Sequence, residues 1–380
     1  MSVVWLQDAG VYHDSGTNPY RVSEFHFTQL ATVGQNDRPG LQFDLENFFY
    51  ESDIDKFISS SYKSKLAGFH VSFPAEHGWV ERFHKVYPHA DHCVIFCSEL
   101  HESTINQLLA LDLPRVTMFL AGQLNLKFNN AMVHKWMDWF HTSNYFYKEI
   151  QPNFLNEKLT PHQNKPKYFD ILLGCQRTHR DFVYNYIIEN NLKDKNIITY
   201  HKRWNIDLRQ SDEFISEYDG VEFIETPQHT IHQVNYYGYR MTLSQVIPLT
   251  VYNQTYYTLI AETNAVNHFN FYTEKTVKPL IAGRLIIAIA GQYYLKNLKS
   301  FGFRTFDNVI DESYDNEPDQ NIRWTRALDQ LKYLCTQDPV EVYAKIKDAV
   351  EHNRRLIVEK DWYNDFRQQL NSVIGHTTAD

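Results

Sequence analysis

Short apolar runs separated by amphipathic stretches organise the first part of the chain. Three runs have the length of buried strands and cover residues 66–73, 92–99 and 115–122. Helix-like segments lie between them, around 75–87 and 101–112. Strands that alternate with helices of about ten residues are typical of a parallel sheet. Upstream, LQFDLENFFY (41–50) and DIDKFISSSY (53–62) predict a further strand and a further helix.

A second alternating series follows residues 149–168, a stretch with three prolines and no clear periodicity that we interpret as a linker. This series predicts strands at 168–174, 196–201, 256–262 and 285–291. It predicts helices at 180–191, 274–283 and 293–302. Beyond residue 320 the pattern becomes helical, and it ends in a long amphipathic stretch around 340–372.

The two series together predict an α/β protein with two Rossmann-like parallel-sheet domains and C-terminal helices. We expect an N-terminal domain over 1–155, a second domain over 165–345, and a terminal helix over 346–380 that packs back across both. Ligands of such sheets bind beyond the carboxyl ends of the strands. With two domains facing each other, the predicted site is the central cleft.

Composition and charge narrow the class of protein. The chain has 380 residues, of which 43% are hydrophobic and 22% charged, so it is expected to fold into more than one domain. Its net charge of −9 argues against a protein that coats nucleic acid. Cys93 and Cys97 have the spacing of small apolar fillers on one face of a strand. The scattered cysteines and the lack of a signal or transmembrane segment favour a cytoplasmic location.

The stretch FYTEKTVKPLIAG (271–283) places charged residues at a predicted helix start. Glu274 and Lys275 fall in the first turn, and Lys278 lies one turn further along the same face. The N–H groups and positive dipole end of a helix form an anion site, and a lysine there suits a diphosphate. The acidic neighbour could hold ribose hydroxyls. The alternative interpretation is a Glu-Lys surface pair.

A second cationic cluster, LLGCQRTHRDF (172–182), ends a strand and begins a helix. Arg177 and Arg180 flank His179 there. The helix dipole disfavours cations at this position, and a bound anion would offset that cost. Guanidinium groups match phosphate oxygens in geometry. We therefore expect both arginines to contact phosphate, the alternative being two exposed arginines at a helix start.

Residues 168–330, with FDILLGCQRTHRDF and the long tail GFRTFDNVIDESYD, resemble the carboxyl-terminal half of a family of bacterial and phage glycosyltransferases. That family is distantly similar to the α-1,3-fucosyltransferases. The resemblance implies the GT-B fold, with a nucleotide-sugar in the second domain. The fucosyltransferase pattern has Glu-Asn where this chain has Glu262-Thr263, and this difference leaves the donor base and sugar open.

The resemblance also implies roles for individual residues. Glu274 and Lys275 match its Glu-Lys motif and are expected on ribose and phosphate. The arginine of the first βα turn maps to Arg177 or Arg180. Glu262 and Thr263 are expected beside the nucleotide.

An inverting transfer also needs a general base, which we expect near the carboxyl ends of first-domain strands. The candidates are Glu76 and His77 in VSFPAEHGW, Glu99, His101 and Glu102 in IFCSELHES, and His13 and Asp14 in VYHDSG. Glu99 and Glu76, with His77 beside the latter, are the first choices. Each carboxylate could equally stabilise a helix start.

Weaker motifs are interpreted as structural. DID (53–55) resembles the Asp-x-Asp of metal-dependent glycosyltransferases but reads better as a helix start. HTIHQ (229–233) has the spacing of metal ligands without a completing carboxylate or cysteine. HKRWN (201–205) lines the donor site or forms an exposed basic turn.

The residues and the resemblance together predict a metal-independent glycosyltransferase, a hexosyl- or pentosyltransferase, and the resemblance implies that it is inverting. It would move a sugar from a nucleoside diphosphate to a hydroxyl of a surface polysaccharide or lipopolysaccharide glycan. No cofactor is expected besides the donor as co-substrate.

Two alternatives remain. One is a phage-type enzyme acting on a hydroxymethylated DNA base, using Lys63, Lys65, Arg82 and Lys85. The other is a non-catalytic nucleotide- or glycan-binding module.

Overall fold

The chain forms two compact units. The structure is a computed structural model, and the residues it describes are 3–8, 48–51, 53–71, 78–97, 102–137, 139–140, 143–144, 147, 157–159, 164–174, 176–200, 221–223, 233–242, 246–265 and 267–378. The first unit comprises Met1–Asp138 and Asp361–Asp380, and the second comprises Trp139–Lys360.

A six-stranded parallel sheet is the centre of the first unit. Its strands follow the order β2-β1-β3-β4-β5-β7, and every neighbouring pair is parallel. The elements of this unit are β1 Val3–Asp8, β2 Phe48–Glu51, α1 Ile54–Ser59, β3 Ser64–Val71, α2 Trp79–Val86, the 3₁₀ turn Tyr87–His89, β4 His92–Cys97, α3 Glu102–Ala110, β5 Val116–Ala121, β6 Gln123–Leu124 and β7 Met132–Trp136. The strands predicted from the three apolar runs are confirmed as β3, β4 and β5.

Local sequence explains where elements of this unit begin and what they bury. The Asp53 carboxylate accepts hydrogen bonds from the backbone N–H groups of Asp55 and Lys56, so it caps α1. The interpretation of DID as a helix start is confirmed. Cys93 and Cys97 are both buried on β4, as expected for apolar fillers, and both are free thiols.

The second unit is built on a four-stranded parallel sheet with the order β15-β13-β8-β9. Its elements are β8 Lys167–Leu173, α4 Thr178–Glu189, the 3₁₀ turn Lys193–Lys195, β9 Ile197–Tyr200, β10 Val221–Phe223, β11 Gln233–Tyr236, β12 Tyr239–Thr242, α5 Leu249–Gln254, β13 Thr255–Ala261, β14 Phe269–Asn270, α6 Glu274–Ile281, β15 Ile286–Ile289, α7 Tyr294–Ser300, the 3₁₀ turn Glu312–Asn316, α8 Gln320–Leu334 and α9 Pro339–Glu359. The sequence pattern did not predict β10, β11 and β12, which pair as a small antiparallel sheet.

The strand order of this second sheet contains a switch point. From β8 the chain moves to β9 on one side, and β13 and then β15 lie on the other side. The direction of winding therefore reverses between β8 and β13. In open parallel sheets, ligands bind outside the carboxyl ends of the strands at such a switch point. The α/β class with two parallel sheets, predicted from the sequence, is confirmed.

The last residues form two helices, whereas the sequence analysis assigned 346–380 to one terminal helix. α9 ends at Glu359, and α10 spans Trp362–Thr378 and belongs to the first unit. The Asn144 amide lies within hydrogen-bonding distance of the carbonyls of Ile357, Val358 and Lys360, which are the last carbonyls of α9 and its cap. Among the described residues, no helix is long and apolar enough to cross a membrane.

A buried ion pair joins β8 to the segment before β15. The Arg284 guanidinium and the Asp170 carboxylate are 2.5 Å apart, and their side chains are 2% and 1% exposed. Arg284 also donates to the hydroxyls of Thr255 and Thr258, and these hydroxyls donate to Asp170. Three backbone carbonyls accept from the same guanidinium, so the cation is fully coordinated within the fold.

Replacing Asp170 with alanine is expected to destabilise the protein by about 3–5 kcal/mol, because it leaves Arg284 buried without its counter-charge. The measurement is urea denaturation at neutral pH. The matched control is Asp307→Ala, which breaks the exposed ion pair with Lys299 and is expected to cost at most about 1 kcal/mol. Equal losses in the two variants would contradict this account of the buried pair.

Candidate functional site

Two strand-to-helix junctions lie at the switch point of the second sheet. Residues 174–177 connect β8 to α4, and residues 262–273 connect β13 to α6. β8 and β13 are neighbouring parallel strands, so both junctions leave the same edge of the sheet. The sequence-predicted residues Arg177, Arg180, Glu262, Thr263, Glu274, Lys275 and Lys278 all belong to these junctions or to the helices that follow them.

The first junction places two arginines around a histidine. Arg177 has an extended backbone at the N-cap position of α4, and its side chain makes no capping hydrogen bond. His179 and Arg180 are buried in the first turn, with 6% and 3% of their surface exposed. The Arg180 guanidinium lies against the end of β8, since a methyl group added at Gly174 would sit 3.4 Å from its Nη1 atom.

The start of α4 is also tied to the neighbouring strand β9. Tyr200, the last residue of β9, donates its hydroxyl proton to the Asp181 carboxylate at 2.6 Å. Gln176 donates its amide to the other oxygen of the same carboxylate at 3.1 Å. Asp181 in the first turn is favourable with respect to the helix dipole. These contacts fix the direction in which the first turn of α4 leaves the sheet.

At the second junction, Glu262 has a fully buried carboxylate. Its two oxygens accept five hydrogen bonds, all from uncharged donors: the N–H groups of Thr263 and Thr273 and the hydroxyls of Thr273, Thr276 and Tyr294. A carboxylate withdrawn from water requires such donors. The expectation that Glu262 lies beside the nucleotide stays a prediction.

The Lys275 side chain lies just outside this carboxylate. Its ammonium donates to the Glu274 carboxylate at 2.6 Å, to the Thr263 hydroxyl at 3.2 Å and to the Thr273 hydroxyl at 3.3 Å. Thr273 also caps α6, since its hydroxyl accepts the backbone N–H of Lys275. Lys275 and Glu274 are 23% and 17% exposed, so this ion pair is partly buried.

The pKa of one buried histidine, His179, is affected by cations of both junctions. The His179 Nε2–H donates to the backbone carbonyl of Glu262 at 2.8 Å, which links the two junctions directly. Burial first, and then repulsion from Arg180, lower the pKa of His179 to about 3, although the hydrogen bond to the Glu262 carbonyl opposes the shift. Repulsion from Arg177 and Lys275 also lowers this pKa. Arg177, Arg180 and Lys275 therefore all disfavour the charged form of this imidazole.

A single carboxylate, that of Glu274, is shared between two lysines. Burial alone would raise the pKa of Glu274, but Lys275 and Lys278 together outweigh burial and lower it below its usual value. Glu274 is therefore an anion under ordinary conditions. This carboxylate therefore interacts with both ammonium groups at the start of α6.

Several predicted residues lie outside the part of the chain that the structure describes. They include the proposed bases Glu76, His77 and Glu99, the alternatives His101, His13 and Asp14, and the motif residues 201–205 and 229–232. Their roles stay predictions. Glu102 is the first residue of α3. No group of three or more His, Cys, Asp or Glu side chains among the described residues could hold a metal ion.

Motif reasoning missed the three hydroxyl side chains that surround Glu262, which are Thr273, Thr276 and Tyr294. The first had a readable signal, because a threonine directly before Glu-Lys at a helix start is typical of an N-cap. Tyr294 had none, since it reaches Glu262 from a helix 32 positions further along the chain.

The neutral state of His179 makes stability depend on pH. Unfolded His179 takes up a proton near its ordinary pKa of 6.5, whereas in the folded protein it stays neutral down to about 3. Stability is therefore lost as the pH falls below 6.5, by at most ~1.4 kcal/mol per pH unit from this group. Urea denaturation can be measured between about pH 7 and about pH 4, a range that spans the ordinary histidine pKa. The free energy of unfolding should decline less steeply with falling pH in His179→Gln than in the wild type. Parallel pH profiles would contradict this.

Comparisons with known proteins give one structural likeness. The solved structure described as "OtsA apo structure" is similar to this chain at a TM-score of 0.43 and 10% sequence identity, with 100% of each chain covered. No protein-family model matches the chain, and no curated protein matches it. The resemblance to the fucosyltransferase-like family stays a prediction, and the functional conclusion rests on the contacts of the second unit.

Proposed function

We propose that this protein is a glycosyltransferase whose second unit binds a nucleoside-diphosphate sugar at the switch point between β8 and β13. One observation carries the proposal: the hydrogen bond from His179 to the Glu262 carbonyl at 2.8 Å joins the junction that bears Arg177 and Arg180 to the junction that leads to Lys275, at one edge of the sheet. Cations that repel one another are brought together at the edge where parallel sheets bind ligands. A diphosphate is the anion that would relieve this repulsion and fit that edge.

The types of side chain support a phosphate rather than a simple anion. Guanidinium groups present parallel N–H donors that match two phosphate oxygens at once, and a lysine adds a compact charge. Arg180 is almost fully buried, so its interaction with an anion is weakly screened by water. The N-terminus of α4, which Arg177 does not cap with its side chain, adds backbone N–H groups and the dipole.

The same groups would serve the chemistry of sugar transfer. The bond from the anomeric carbon to the diphosphate oxygen breaks with negative charge developing on the leaving group. Fixed arginine and lysine side chains stabilise that charge without reorganisation, a role that a divalent metal fills in other enzymes. A base on the first unit, with Glu99, Glu76 and His77 as candidates, would take the proton of the attacking hydroxyl, and the transfer would invert the anomeric centre.

Charge supports a glycan rather than DNA as the acceptor. The net charge of −9 opposes binding of a polyanion. Two of the four cations considered for a DNA groove are also engaged within the first unit. The Lys85 ammonium pairs with Asp55 at 2.8 Å, and the Lys65 ammonium donates to the carbonyl of Ile58 at 2.9 Å. We therefore propose a hydroxyl of a surface polysaccharide or lipopolysaccharide glycan as the acceptor.

Removing a phosphate ligand is expected to weaken donor binding. A thermal-shift panel of GDP-, UDP-, dTDP- and CMP-linked sugars should first identify the donor, since a ligand at 100 times its dissociation constant stabilises by about 2.7 kcal/mol. For that donor, Lys275→Ala and Arg180→Ala should each lose about 1.5–3 kcal/mol of binding free energy, measured by calorimetry. The control is Lys347→Ala, at an exposed position on α9. Unchanged dissociation constants in both site variants would refute the proposed site.

Variants of the base should separate binding from chemistry. Glu99→Gln and Glu76→Gln are each expected to keep the donor dissociation constant, and the variant that removes the true base should abolish transfer. Donor hydrolysis and transfer by the wild type should persist in EDTA. A wild type that binds the donor but neither hydrolyses nor transfers it would be a non-catalytic binding module, contrary to the proposal.

A further inference from the structure

The hydroxyl of Thr273 lies between the buried carboxylate of Glu262 and the ammonium of Lys275. It is 2.7 Å from Glu262 Oε2 and 3.3 Å from Lys275 Nζ. It is also 3.3 Å from the backbone nitrogen of Lys275. Both the side chain and the backbone of Lys275 are therefore held by this one oxygen atom.

The Thr273 hydroxyl has a single proton, and this determines the orientation of its O–H bond. A threonine hydroxyl has one proton to donate and two lone pairs. A carboxylate only accepts, so the proton must point to Glu262, and the lone pairs face the two N–H donors of Lys275. The orientation that receives Lys275 is thus dictated by the carboxylate behind Thr273.

Thr263 repeats this arrangement from the other side. Its backbone N–H donates to Glu262 Oε2 at 3.1 Å, and its hydroxyl accepts from Lys275 Nζ at 3.2 Å. Both threonines that receive the ammonium are therefore anchored to the same carboxylate oxygen. The other oxygen, Oε1, holds Thr276, Tyr294 and the N–H of Thr273.

We propose that Glu262 is a positioning residue that acts through Thr273 and Thr263 to orient Lys275 toward the diphosphate of the donor. This inference rests on the proposed function and adds to it a role for Glu262 that does not involve contact with the nucleotide. The carboxylate is 0% exposed and its oxygens are occupied by five donors, so a ligand would have to break buried hydrogen bonds to reach it.

A double-mutant cycle tests whether Thr273 acts through Lys275. The probe is inorganic pyrophosphate, with affinity measured by isothermal titration calorimetry on the full chain. Thr273→Val removes the hydroxyl and is expected to weaken binding about tenfold. In the Lys275→Ala background, the same substitution should have no further effect, because the group it orients is already gone. Glu262→Gln should behave like Thr273→Val, since an amide presents a donor to one of its partners.

Two further variants separate positioning from general damage to the fold. Thr273→Ser keeps the hydroxyl and should restore the wild-type affinity. Thr255→Val removes a buried hydroxyl that donates to Asp170 at the opposite end of β13. It should lower the melting temperature as Thr273→Val does, while leaving the affinity for pyrophosphate unchanged.

The outcomes distinguish this inference from the function on which it rests. If wild type binds pyrophosphate and the effects of Thr273→Val and Lys275→Ala simply add, the positioning role is wrong and the diphosphate site stands. If wild type binds neither pyrophosphate nor any nucleotide-sugar of the panel, the diphosphate site is wrong and the positioning role fails with it. Equal loss of affinity in Thr255→Val would show that the effect is general destabilisation.

Discussion

The buried carboxylate of Glu262 is the constraint on which the candidate site depends. Burying a carboxylate without hydrogen-bond donors would cost far more free energy than the net stability of a folded domain. The five hydrogen-bond partners of Glu262 must therefore be held in place. They come from the end of β13, the start of α6 and the start of α7. The backbone of Glu262 extends the cluster, because its carbonyl accepts from His179 on α4 and its N–H donates to Ile289 on β15. One residue thereby fixes three helix starts relative to the sheet.

A second buried polar cluster holds the same strand from its other end. Arg284 and Asp170 meet there with Thr255 and Thr258 of β13. The two clusters differ in kind. At the Arg284 end a cation and an anion satisfy each other, so little charge is left to act on a ligand. At the Glu262 end, the five hydrogen bonds that the described residues donate to the carboxylate all come from uncharged groups.

Local patterns explain what the sequence could predict. Short apolar runs are typical of parallel strands that are buried on both faces. Six of the described strands in the two sheets have this pattern: β3, β4, β5, β8, β13 and β15. The starts of α1 and α6 follow from a capping Asp53 and a capping Thr273, whose partners lie within three residues. The break between α9 and α10 had a local signal that the periodicity analysis missed, because the Asp361 carboxylate accepts the backbone N–H of Asn364 at 2.9 Å at the start of α10. The contact of Asn144 with the end of α9 spans more than 200 positions and has no local signal. The Glu262 cluster was missed for the same reason, since its donors meet only after the sheet and helices have packed.

His179 lies in the first turn of α4, between Arg177 and Arg180 in the sequence, and its imidazole is neutral. A fourth cation at this place would add repulsion, and a carboxylate would quench the arginines. A neutral imidazole adds no charge, and its N–H is consumed by the carbonyl of Glu262. The depressed pKa keeps it neutral throughout the physiological range, and the same cations that depress it are the ones proposed to bind phosphate.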